Sequence, residues 1–502
     1  MRESCRAPTQ SRAMAAERGV ALATLLRRLS GASAGGDLDR YVTAIETDSR
    51  SVTPGALFVA LRGSAVDSHR FVPEAIARGA RAVIVEPSYD GELPGGAAVV
   101  RVPDTRRALS SLAAAFYGDP SFALDTVGIT GTNGKTTTAH MIAAIMRASG
   151  KACGVIGTVG ASLGERRWDL AHTTPLPPEL HALLAEMRDA RAGAVAMEVS
   201  SHALALERVE DVRFRVGVLT NVTRDHLDFH ENWEAYAASK RRLFDLAEDC
   251  VLNADDPCGA RWIAQLRTGG RTAIAYGEAG DASLVPRCVR AGALGSQFVV
   301  CGQPVELRVP GRFNVWNALA AIAAARVLGI DDATSARGLA ALERVPGRME
   351  RVGGADVNVV VDYAHTPDAL ESALRSLRET SGGALAVVFG CGGDRDAGKR
   401  APMGEIAARL ADRIYLTNDN PRSEEPQAIA GGIAAGIGAR AYVLELDRRR
   451  AIERAIREAR PGDTVLVAGK GHETYQIVGT QRLPFDDAAV AREALAARGA
   501  AE

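Results

Sequence analysis

Short apolar runs alternate with polar, glycine-containing turns along most of the chain, and amphipathic stretches follow many of these turns. A short apolar run between turns indicates a buried strand, and apolar residues three and four apart indicate a helix. Strands that alternate with helices predict an α/β fold with a largely parallel sheet covered on both faces. The predicted strands are residues 126–130, 152–156, 194–199, 216–222 and 250–252, and then 358–361, 384–389, 413–416, 441–444 and 464–467.

Changes in this pattern predict three domains. Residues 1–105 contain short apolar runs separated by turns, which is typical of a small α/β unit. Residues 106–343 and residues 344–502 each form a strand–turn–helix series, and the second series resembles a further dinucleotide-fold unit. Within the first domain, an apolar stretch at 19–26 predicts the first helix, and residues 1–14 are expected to form a loose extension.

The composition disfavours several classes of protein. With 60 basic and 61 acidic residues the formal net charge is −1, so the bulk charge indicates no nucleic-acid or membrane-surface partner. No apolar run approaches the roughly 20 residues that span a bilayer, and the chain is expected not to be membrane-embedded. Seven cysteines lie scattered without a CxxC pair, which disfavours a disulfide framework and favours a reducing cytoplasm.

The strongest candidate site is a glycine-rich loop between a predicted strand and a predicted helix. Residues 128–137 read GITGTNGKTT; such glycines let backbone amides surround phosphate oxygens, and the helix adds its N-terminal N–H groups. The common pattern has a glycine at the position held here by Ile129, and the alternative interpretation is an ordinary glycine turn. Lys135 is expected to reach the β- and γ-phosphates of ATP, and the Thr136 hydroxyl to ligate Mg²⁺. The predicted ATP-binding residues of the loop are Gly131, Thr132, Asn133, Gly134, Lys135, Thr136 and Thr137.

Charged side chains after the next strands are candidates for a metal site. Glu198 ends a predicted strand, where a carboxylate can hold the Mg²⁺ of a nucleotide; the alternative is a helix-capping or solvated glutamate. His226 and His230 lie four residues apart among aspartates, which leaves zinc open, although the phosphate loop upstream favours a second Mg²⁺ position. Lys240 lies on a predicted helix, and its spacing alone indicates a solvated lysine.

Polar turns follow the strands of the last domain, at the sheet edge where ligands bind in parallel α/β folds. Arg395 and Arg422 can each bind a carboxylate through two hydrogen bonds, and Glu473 can hold an ammonium group. Together these three charges suit a zwitterionic amino acid with an additional carboxylate. Any one of the turns could equally be only structural.

These motifs together resemble the Mur ligase family of peptidoglycan synthesis, over nearly the whole chain from residues 48–50 to 469–473. The resemblance implies a UDP-sugar domain, a central P-loop ATPase-type domain with a parallel sheet, and a C-terminal Rossmann-like amino-acid domain. It implies a cytoplasmic ATP-dependent ligase of cell-wall biogenesis, linked to cell shape and division, that works through an acyl phosphate. The implied substrates are UDP-N-acetylmuramoyl-L-alanyl-D-glutamate, meso-diaminopimelate and ATP. Mg²⁺ is the implied cofactor, and a monomer is expected.

The resemblance also implies roles for individual residues. The implied catalytic residues are Lys135, Glu198, His226 and Lys240. The implied Mg²⁺ ligands are Thr136, Glu198, His226 and Lys240, the last as N6-carboxylysine, a carbamate that supplies an anionic oxygen. Further implied nucleotide contacts are Asn314 and Asn317, which would contact adenine, and Asp362 and His365 from the third domain. Within the UDP-muramoyl dipeptide, the implied contact to the uridine end is Ser49, and the implied contacts to the muramoyl dipeptide are Thr173, Thr174, Ser200 and Arg208. Contacts to diaminopimelate are Arg395, Asp419, Asn420, Pro421, Arg422, Gly469 and Glu473.

One departure from the family pattern and several rival functions remain. Leu206 stands where family members often have glutamine, so one polar substrate contact is in question. Residues 419–422 match the diaminopimelate form of the specificity motif, and a buried arginine without its carboxylate partner would disfavour lysine. The nearest rival is a folylpolyglutamate synthetase-like ligase. The others are a P-loop regulatory nucleotide-binding protein and a metal hydrolase built on His226 and His230.

Overall fold

The computed structural model describes residues 19–63, 66–91, 93, 95–280, 282–292, 295–354 and 356–499, without the side chain of Asp228. The expected extension at 1–14 lies outside these residues and stays a prediction. Strands and helices alternate through the described chain, and its larger sheets are mainly parallel. The predicted α/β fold class is therefore confirmed.

The N-terminal sheet is buried on both faces. In the strand Ala56–Val59, Leu57 and Val59 pack in the core that includes the helix Thr105–Phe116. Phe58 packs on the opposite face with residues of the helix Val72–Ala77, as the alternation of side chains along a strand requires. All strand pairs are parallel except the first. The strand order is Ser33–Gly35, Ala98–Arg101, Ala82–Val85, Ala56–Val59 and Ala44–Glu46.

The first predicted helix is shorter than expected. Residues Val20–Ala21 form a strand that pairs with Tyr41–Val42, and the helix is Leu22–Leu26. Strand pairing therefore replaces the start of the helix that the apolar stretch predicts. The other short elements here are the 3-10 turns Ser49–Ser51, Ser68–Phe71 and Pro120–Ala123.

The central sheet has eight strands and combines parallel pairs with antiparallel hairpins. Its order is Arg166–Trp168, Gly160–Leu163, Cys153–Gly157, Ala194–Glu198, Asp125–Thr130, Phe214–Leu219, Ala247–Asn253 and Ala273–Tyr276. The pairs among the first three strands are antiparallel, whereas Cys153–Gly157 and Ala194–Glu198 are parallel. The helices of this region are Lys135–Ala148, Pro177–Asp189, Ser201–Ala205, Leu227–His230, Trp233–Arg241, Leu243–Leu246, Pro257–Thr268, Phe313–Val327 and Asp332–Ala340.

The hydrophobic pattern missed two antiparallel features. One is the hairpin at 160–168, and the other is a three-stranded sheet formed by Pro286–Gly292, Gly295–Val300 and Gln303–Leu307. These strands follow one another without an intervening helix, so a strand–turn–helix template does not detect them.

The C-terminal sheet is also covered on both faces. Along the strand Leu385–Phe389, Val387 and Phe389 pack in one core and Ala386 and Val388 in the other. Only the first strand is antiparallel to its neighbour. The order is Glu350–Gly353, Asn358–Asp362, Thr464–Ala468, Leu385–Phe389, Arg413–Leu416 and Val443–Leu444. The other elements are the helices Pro367–Thr380, Arg400–Leu410, Pro426–Ile437, Arg448–Glu458 and Asp487–Gly499, the 3-10 turn Ala397–Lys399, and the hairpin of Tyr475–Val478 with Gln481–Pro484.

A fully buried ion pair ties the last helix to this sheet. Arg448 donates from Nε and Nη2 to the two carboxylate oxygens of Asp487, each at 2.7 Å, and also from Nη2 to the carbonyl oxygen of Ala468 at 2.9 Å. Both charged side chains are 0% exposed. Because breaking a buried pair leaves an uncompensated charge, loss of either partner is expected to cost about 3–5 kcal/mol.

The described chain divides into two compact units. One contains the residues up to Gly128 together with Lys151–Gly217 and Ser239–Asp249. The other contains Ile129–Gly150, Val218–Ala238 and the described residues from Cys250 onwards. Over the ranges that the structure describes, no helix has both the length and the apolar character needed to cross a membrane.

Candidate active site

The glycine-rich loop has the conformation of a phosphate loop. It connects the strand Asp125–Thr130 to the helix Lys135–Ala148. Gly131 and Gly134 have φ values of +148° and +85°. A Cβ at Gly131 would collide with the Thr220 hydroxyl, and one at Gly134 with the side-chain oxygen of Asn317. Both positions therefore need glycine for backbone conformation and for space.

Side chains beyond the next strand hold the loop in place. Oδ1 of Asn221 accepts from the backbone N–H of Asn133 at 2.9 Å, and its Nδ2 donates to the Asn133 carbonyl at 3.1 Å. The Thr132 hydroxyl accepts from the Thr223 N–H and lies 2.9 Å from the Tyr236 hydroxyl. These hydrogen bonds order the loop before a ligand binds, which lowers the entropic cost of binding phosphate. Sequence reasoning missed Asn221 and Tyr236.

Two cations lie at the loop. Nζ of Lys135 donates to the carbonyl oxygens of Gly131 and Thr132, each at 2.8 Å. Nη2 of Arg348 donates to the Thr136 hydroxyl at 2.9 Å. Two positive charges beside curled backbone amides suit a polyphosphate. Arg348 was not predicted, and no local motif indicates it, because its partner lies 212 residues earlier.

The two predicted adenine contacts form a hydrogen-bonded chain. Nδ2 of Asn317 donates to Oδ1 of Asn314 at 2.8 Å, and Nδ2 of Asn314 donates to the Pro310 carbonyl at 2.6 Å. The Thr138 hydroxyl donates to Oδ1 of Asn317 at 3.4 Å. Both asparagines are buried. They therefore lie beside the phosphate loop, and adenine binding stays a prediction.

Asp362 ends the strand Asn358–Asp362. Its Oδ2 accepts from the backbone N–H of Met349 at 2.6 Å. Desolvation raises the pKa of the Asp362 carboxyl, whereas the charge of Arg348 acts to lower it. Asp362 and the loop-bound Arg348 thus belong to one electrostatic cluster.

His365 follows two residues after this strand. Its Nδ1 lies 2.8 Å from the Tyr363 carbonyl, so that nitrogen donates. Burial lowers the pKa of His365, and the Lys399 charge acts in the same direction against the attraction of Asp225. A neutral imidazole that donates through Nδ1 presents Nε2 as an acceptor.

Glu198 lies in an oxygen-rich cluster. It is 1% exposed and ends the strand Ala194–Glu198. Its Oε1 accepts from the Thr158 N–H at 2.9 Å and its Oε2 from the Thr158 hydroxyl at 3.0 Å. The Thr173 hydroxyl lies 3.1 Å from that of Thr158, and the Thr174 hydroxyl donates to the Glu198 carbonyl at 2.9 Å. The alternative of a solvated Glu198 is wrong. Since Mg²⁺ prefers oxygen ligands, the donor set fits this ion.

Most of the predicted dipeptide contacts lie together. The Ser200 hydroxyl accepts from the Ala203 N–H at 3.1 Å and thereby caps a short helix. It lies 3.4 Å from the Thr174 hydroxyl. Nη1 of Arg208 donates to the Thr174 carbonyl at 3.0 Å, while its buried Nε has no hydrogen-bond partner in the described chain. Burial lowers the pKa of Arg208. Leu206 is the C-cap residue of the same helix.

Ser49 lies in the 3-10 turn Ser49–Ser51, which follows the strand Ala44–Glu46. It is buried, and its hydroxyl donates to Oε2 of Glu74 at 3.1 Å. The preceding Asp48 side chain accepts from the Arg50 N–H and so caps the turn Ser49–Ser51. Its contact to the uridine end of the substrate stays a prediction.

The last two predicted metal ligands are His226, which has an unusual backbone conformation, and Lys240, which has a buried side chain. His226 has a φ of +53° as the N-cap of the helix Leu227–His230, and its Nε2 lies 3.4 Å from Oδ2 of Asp225. Lys240 is only 2% exposed, so the solvated lysine that its spacing indicates is wrong. Within the described ranges, no group of three or more His, Cys, Asp or Glu side chains is placed to hold a metal ion.

The predicted amino-acid contacts converge beyond the C-terminal sheet. Nη1 of Arg422 donates to the Gly393 carbonyl at 2.7 Å, and Nδ2 of Asn420 donates to Oε2 of Glu473 at 2.9 Å. A Cβ at Gly392 would lie 2.9 Å from Nη1 of Arg422 and 3.8 Å from Cγ of Arg395. The two arginines therefore flank one turn.

Three further residues complete this group. Gly469 has a φ of +115°, and a Cβ there would lie 2.6 Å from Oδ2 of Asp419. Pro421 is buried between Asn420 and Arg422. We call the group of Arg395, residues 419–422, Gly469 and Glu473 the amino-acid pocket. Sequence reasoning missed Lys470, which is fully buried against Asn420 and Glu473.

A phosphate loop in the same chain as a pocket of arginines and a carboxylate defines a class of enzyme, the ATP-dependent ligases that activate a carboxylate for an amine. Family models agree with this class. Residues 41–117 match "Mur ligase family, catalytic domain", residues 129–325 "Mur ligase middle domain", and residues 347–471 "Mur ligase, glutamate ligase domain". The chain belongs to the Mur ligase family.

The chain is similar to individual relatives over nearly its whole length. It is 43% identical over 488 residues to the UDP-N-acetylmuramoyl-L-alanyl-D-glutamate–2,6-diaminopimelate ligase of Syntrophomonas wolfei, which covers 94% of this chain and 99% of that protein. It is 46% identical over 475 residues to the protein of the same name from Chlorobaculum tepidum, with coverage of 90% and 92%. A solved structure of a ligase of this name aligns with a TM-score of 0.69 and 31% identity, over 96% of this chain and 99% of the other.

Proposed function

We propose that this ligase joins meso-2,6-diaminopimelate to the γ-carboxylate of the D-glutamyl residue of UDP-N-acetylmuramoyl-L-alanyl-D-glutamate, forming ADP and phosphate. The observation that carries this proposal is the 43–46% identity to ligases of that name over at least 90% of the chain. The charges of the amino-acid pocket support it, because diaminopimelate has a distal carboxylate that an arginine can bind. The reaction belongs to the synthesis of peptidoglycan precursors.

The three proposed domains divide this work. Residues 1–105 bind the UDP-sugar, residues 106–343 bind ATP, and residues 344–502 bind the amino acid. Two of the family models lie within the second and third domains, and the first model extends beyond residue 105.

In the first proposed step, the D-glutamyl carboxylate attacks the γ-phosphorus of ATP. The bond to the β–γ bridging oxygen breaks, and an acyl phosphate and ADP form. Lys135 exchanges its two carbonyl acceptors in the loop for phosphate oxygens, and Arg348 adds a second positive charge. Thr173, Thr174, Ser200 and Arg208 hold the dipeptide.

Mg²⁺ is proposed to bind Thr136, Glu198, His226 and a carbamylated Lys240. The buried oxygen donors around Glu198 support the choice of ion. The burial of Lys240 supports a role inside the protein rather than at its surface, and a carbamate on its nitrogen would supply the oxygen ligand that this ion prefers. When bound, Mg²⁺ supplies positive charge that stabilises the phosphate oxygens.

In the second proposed step, a neutral amine of diaminopimelate attacks the acyl carbon, the attacking nitrogen loses a proton to solvent, and phosphate leaves from the tetrahedral intermediate. Arg395 and Arg422 hold carboxylates of the amino acid, and Glu473 holds an ammonium group. Closure of the C-terminal domain brings the amine to the acyl phosphate. Asn314, Asn317, Asp362 and His365 hold the nucleotide.

We also propose that the enzyme acts as a monomer in the cytoplasm. Six cysteines of the described chain are not part of a disulfide, which supports a reducing compartment. Light scattering of the purified protein would test the monomer.

An assay of phosphate and ADP release tests the proposed function. Release is expected to require ATP, the UDP-muramoyl dipeptide and diaminopimelate together. Equal turnover with L-lysine would contradict the proposed specificity. Release without any amine would favour a regulatory nucleotide-binding protein, and addition of glutamate to a folate would favour the folylpolyglutamate synthetase-like alternative.

A further inference from the structure

We propose that Lys470 is a positioning residue of the amino-acid pocket, which fixes the Glu473 carboxylate so that one of its oxygens faces the ammonium group of the amino acid. This inference rests on the proposed function, because that function supplies the amino acid. Lys470 follows Gly469 but was not among the predicted contacts.

Lys470 cannot touch the amino acid from its position. Its side chain is 0% exposed, whereas that of Glu473 is 16% exposed. Nζ donates to Oε2 of Glu473 at 2.9 Å and to Oδ1 of Asn420 at 3.0 Å. The same ammonium group lies 5.5 Å from the ring centroid of Tyr475, which adds a cation–π contact. Lys470 therefore lies on the buried side of the pocket and contacts Glu473 and Asn420 there.

The orientation of the Asn420 amide follows from two donors. Its Oδ1 accepts from Nζ of Lys470 and from the backbone N–H of Ile477 at 2.9 Å. An amide that accepts on its oxygen from two sides must direct its NH₂ group elsewhere. That group donates to Oε2 of Glu473 at 2.9 Å. Both polar groups of the Asn420 side chain are thus used in hydrogen bonds within the protein, and its NH₂ group helps to position Glu473.

Oε2 of Glu473 consequently receives two hydrogen bonds, one from Lys470 and one from Asn420. Within the part of the chain that the structure describes, Oε1 of Glu473 forms no hydrogen bond. Two donors on one oxygen fix the rotation of a carboxylate, whereas a single donor leaves it free to turn. The fixed carboxylate presents Oε1 as a preorganised acceptor for an ammonium group.

The test compares the kinetics of Lys470→Met with those of the wild-type enzyme. The change keeps the length of the side chain and removes its charge and donors. The KM for diaminopimelate is expected to rise roughly 10- to 100-fold, as for the loss of a charged hydrogen bond. The KM for ATP is expected to stay within about twofold, because the phosphate loop does not use Lys470. Trapping of the acyl phosphate with hydroxylamine is expected to proceed at the wild-type rate.

Two further variants separate positioning from folding. Lys151→Met removes an exposed lysine that forms an ion pair with Asp125 at 3.5 Å, and it is expected to leave every constant unchanged. Lys470→Arg keeps the buried charge, so it is expected to fold and to show a smaller rise in the KM for diaminopimelate. This variant also provides the measurement if Lys470→Met does not fold.

The possible results distinguish this inference from the proposed function. An unchanged KM for diaminopimelate in both Lys470 variants, with wild-type activity intact, overturns the inference alone. A parallel rise in all KM values with a lower melting temperature also overturns it, because it indicates a merely structural lysine. A wild-type enzyme that forms the acyl phosphate but adds no diaminopimelate overturns the proposed function instead.

Discussion

The phosphate loop and the amino-acid pocket both suit charged ligands, but the chain builds them from different parts. The loop is one run of residues, 128–137, in which backbone amides and two left-handed glycines make the site. The pocket collects side chains from turns between residues 395 and 473 and fixes them through a buried hydrogen-bond network. The comparison indicates that the loop depends on backbone conformation, and that the pocket depends on which side chains meet. Substitutions in the two regions should therefore change different kinetic constants.

The largest expected effect comes from the loop. Lys135→Ala removes the ammonium group that is proposed to neutralise the transferred phosphoryl group, so kcat/KM for ATP should fall at least roughly 10³-fold. Binding of diaminopimelate, measured by calorimetry, should change little. A fall of less than about tenfold would contradict the assignment of this loop as the ATP site. Lys151→Ala is the matched control.

The pocket should give a smaller and more selective effect. Arg422→Ala removes the guanidinium that is proposed to bind a carboxylate of diaminopimelate, so the KM for diaminopimelate should rise roughly 100-fold, while acyl-phosphate trapping stays unchanged. The preference for diaminopimelate over L-lysine should shrink by a similar factor. If the preference for diaminopimelate over L-lysine persisted in this variant, another residue would have to bind the distal carboxylate.

His181, which lies outside both regions, tests the stability of the fold rather than catalysis. His181 is fully buried, and burial lowers its pKa to about 3. The unfolded chain takes up a proton on this residue below its usual pKa of 6.5, whereas the folded chain does not until about pH 3. Stability should therefore fall with pH below about 6.5, by about 1.4 kcal/mol per unit from this residue. His181→Leu should lose less melting temperature than the wild type between pH 6 and pH 5. If the melting temperatures of the two proteins fell equally with pH, a lowered pKa of His181 would be contradicted.

The smallest expected effect concerns the departure from the family pattern. Leu206→Gln introduces the glutamine that the family resemblance leads us to expect two residues before Arg208. Since Arg208 already bonds the Thr174 carbonyl, the KM for the UDP-muramoyl dipeptide should fall by no more than about threefold. A much larger gain would mean that Leu206 limits substrate binding in this enzyme.

The same contrast explains what could be predicted from the sequence. The phosphate loop was predictable because its strand, glycines and helix are consecutive, and the strand predicted at 126–130 is observed as Asp125–Thr130. The turns of the amino-acid pocket were predictable because each follows a strand.

Contacts between distant residues were not predictable. Arg348 and Thr136 are 212 residues apart, and Lys470 and Asn420 are 50 apart, so no local spacing indicates either pair. The burial of Lys240 was missed for the same reason, because helical spacing does not reveal what packs against the helix. The predicted strand at 441–444 is reduced to Val443–Leu444, at the edge of the sheet where fewer neighbours stabilise it.

The ion pair between Arg448 and Asp487 also has a consequence for the order in which this protein can be made. Asp487 is translated 39 residues after Arg448, so the nascent chain carries an unmatched guanidinium until the helix Asp487–Gly499 has emerged. The carbonyl of Ala468, next to Gly469, is bonded to the same guanidinium. The backbone at Ala468 and Gly469, beside the amino-acid pocket, is therefore expected to become stable only after the last helix has been translated. A ribosome stalled before Asp487 should carry a C-terminal sheet that proteases still cleave.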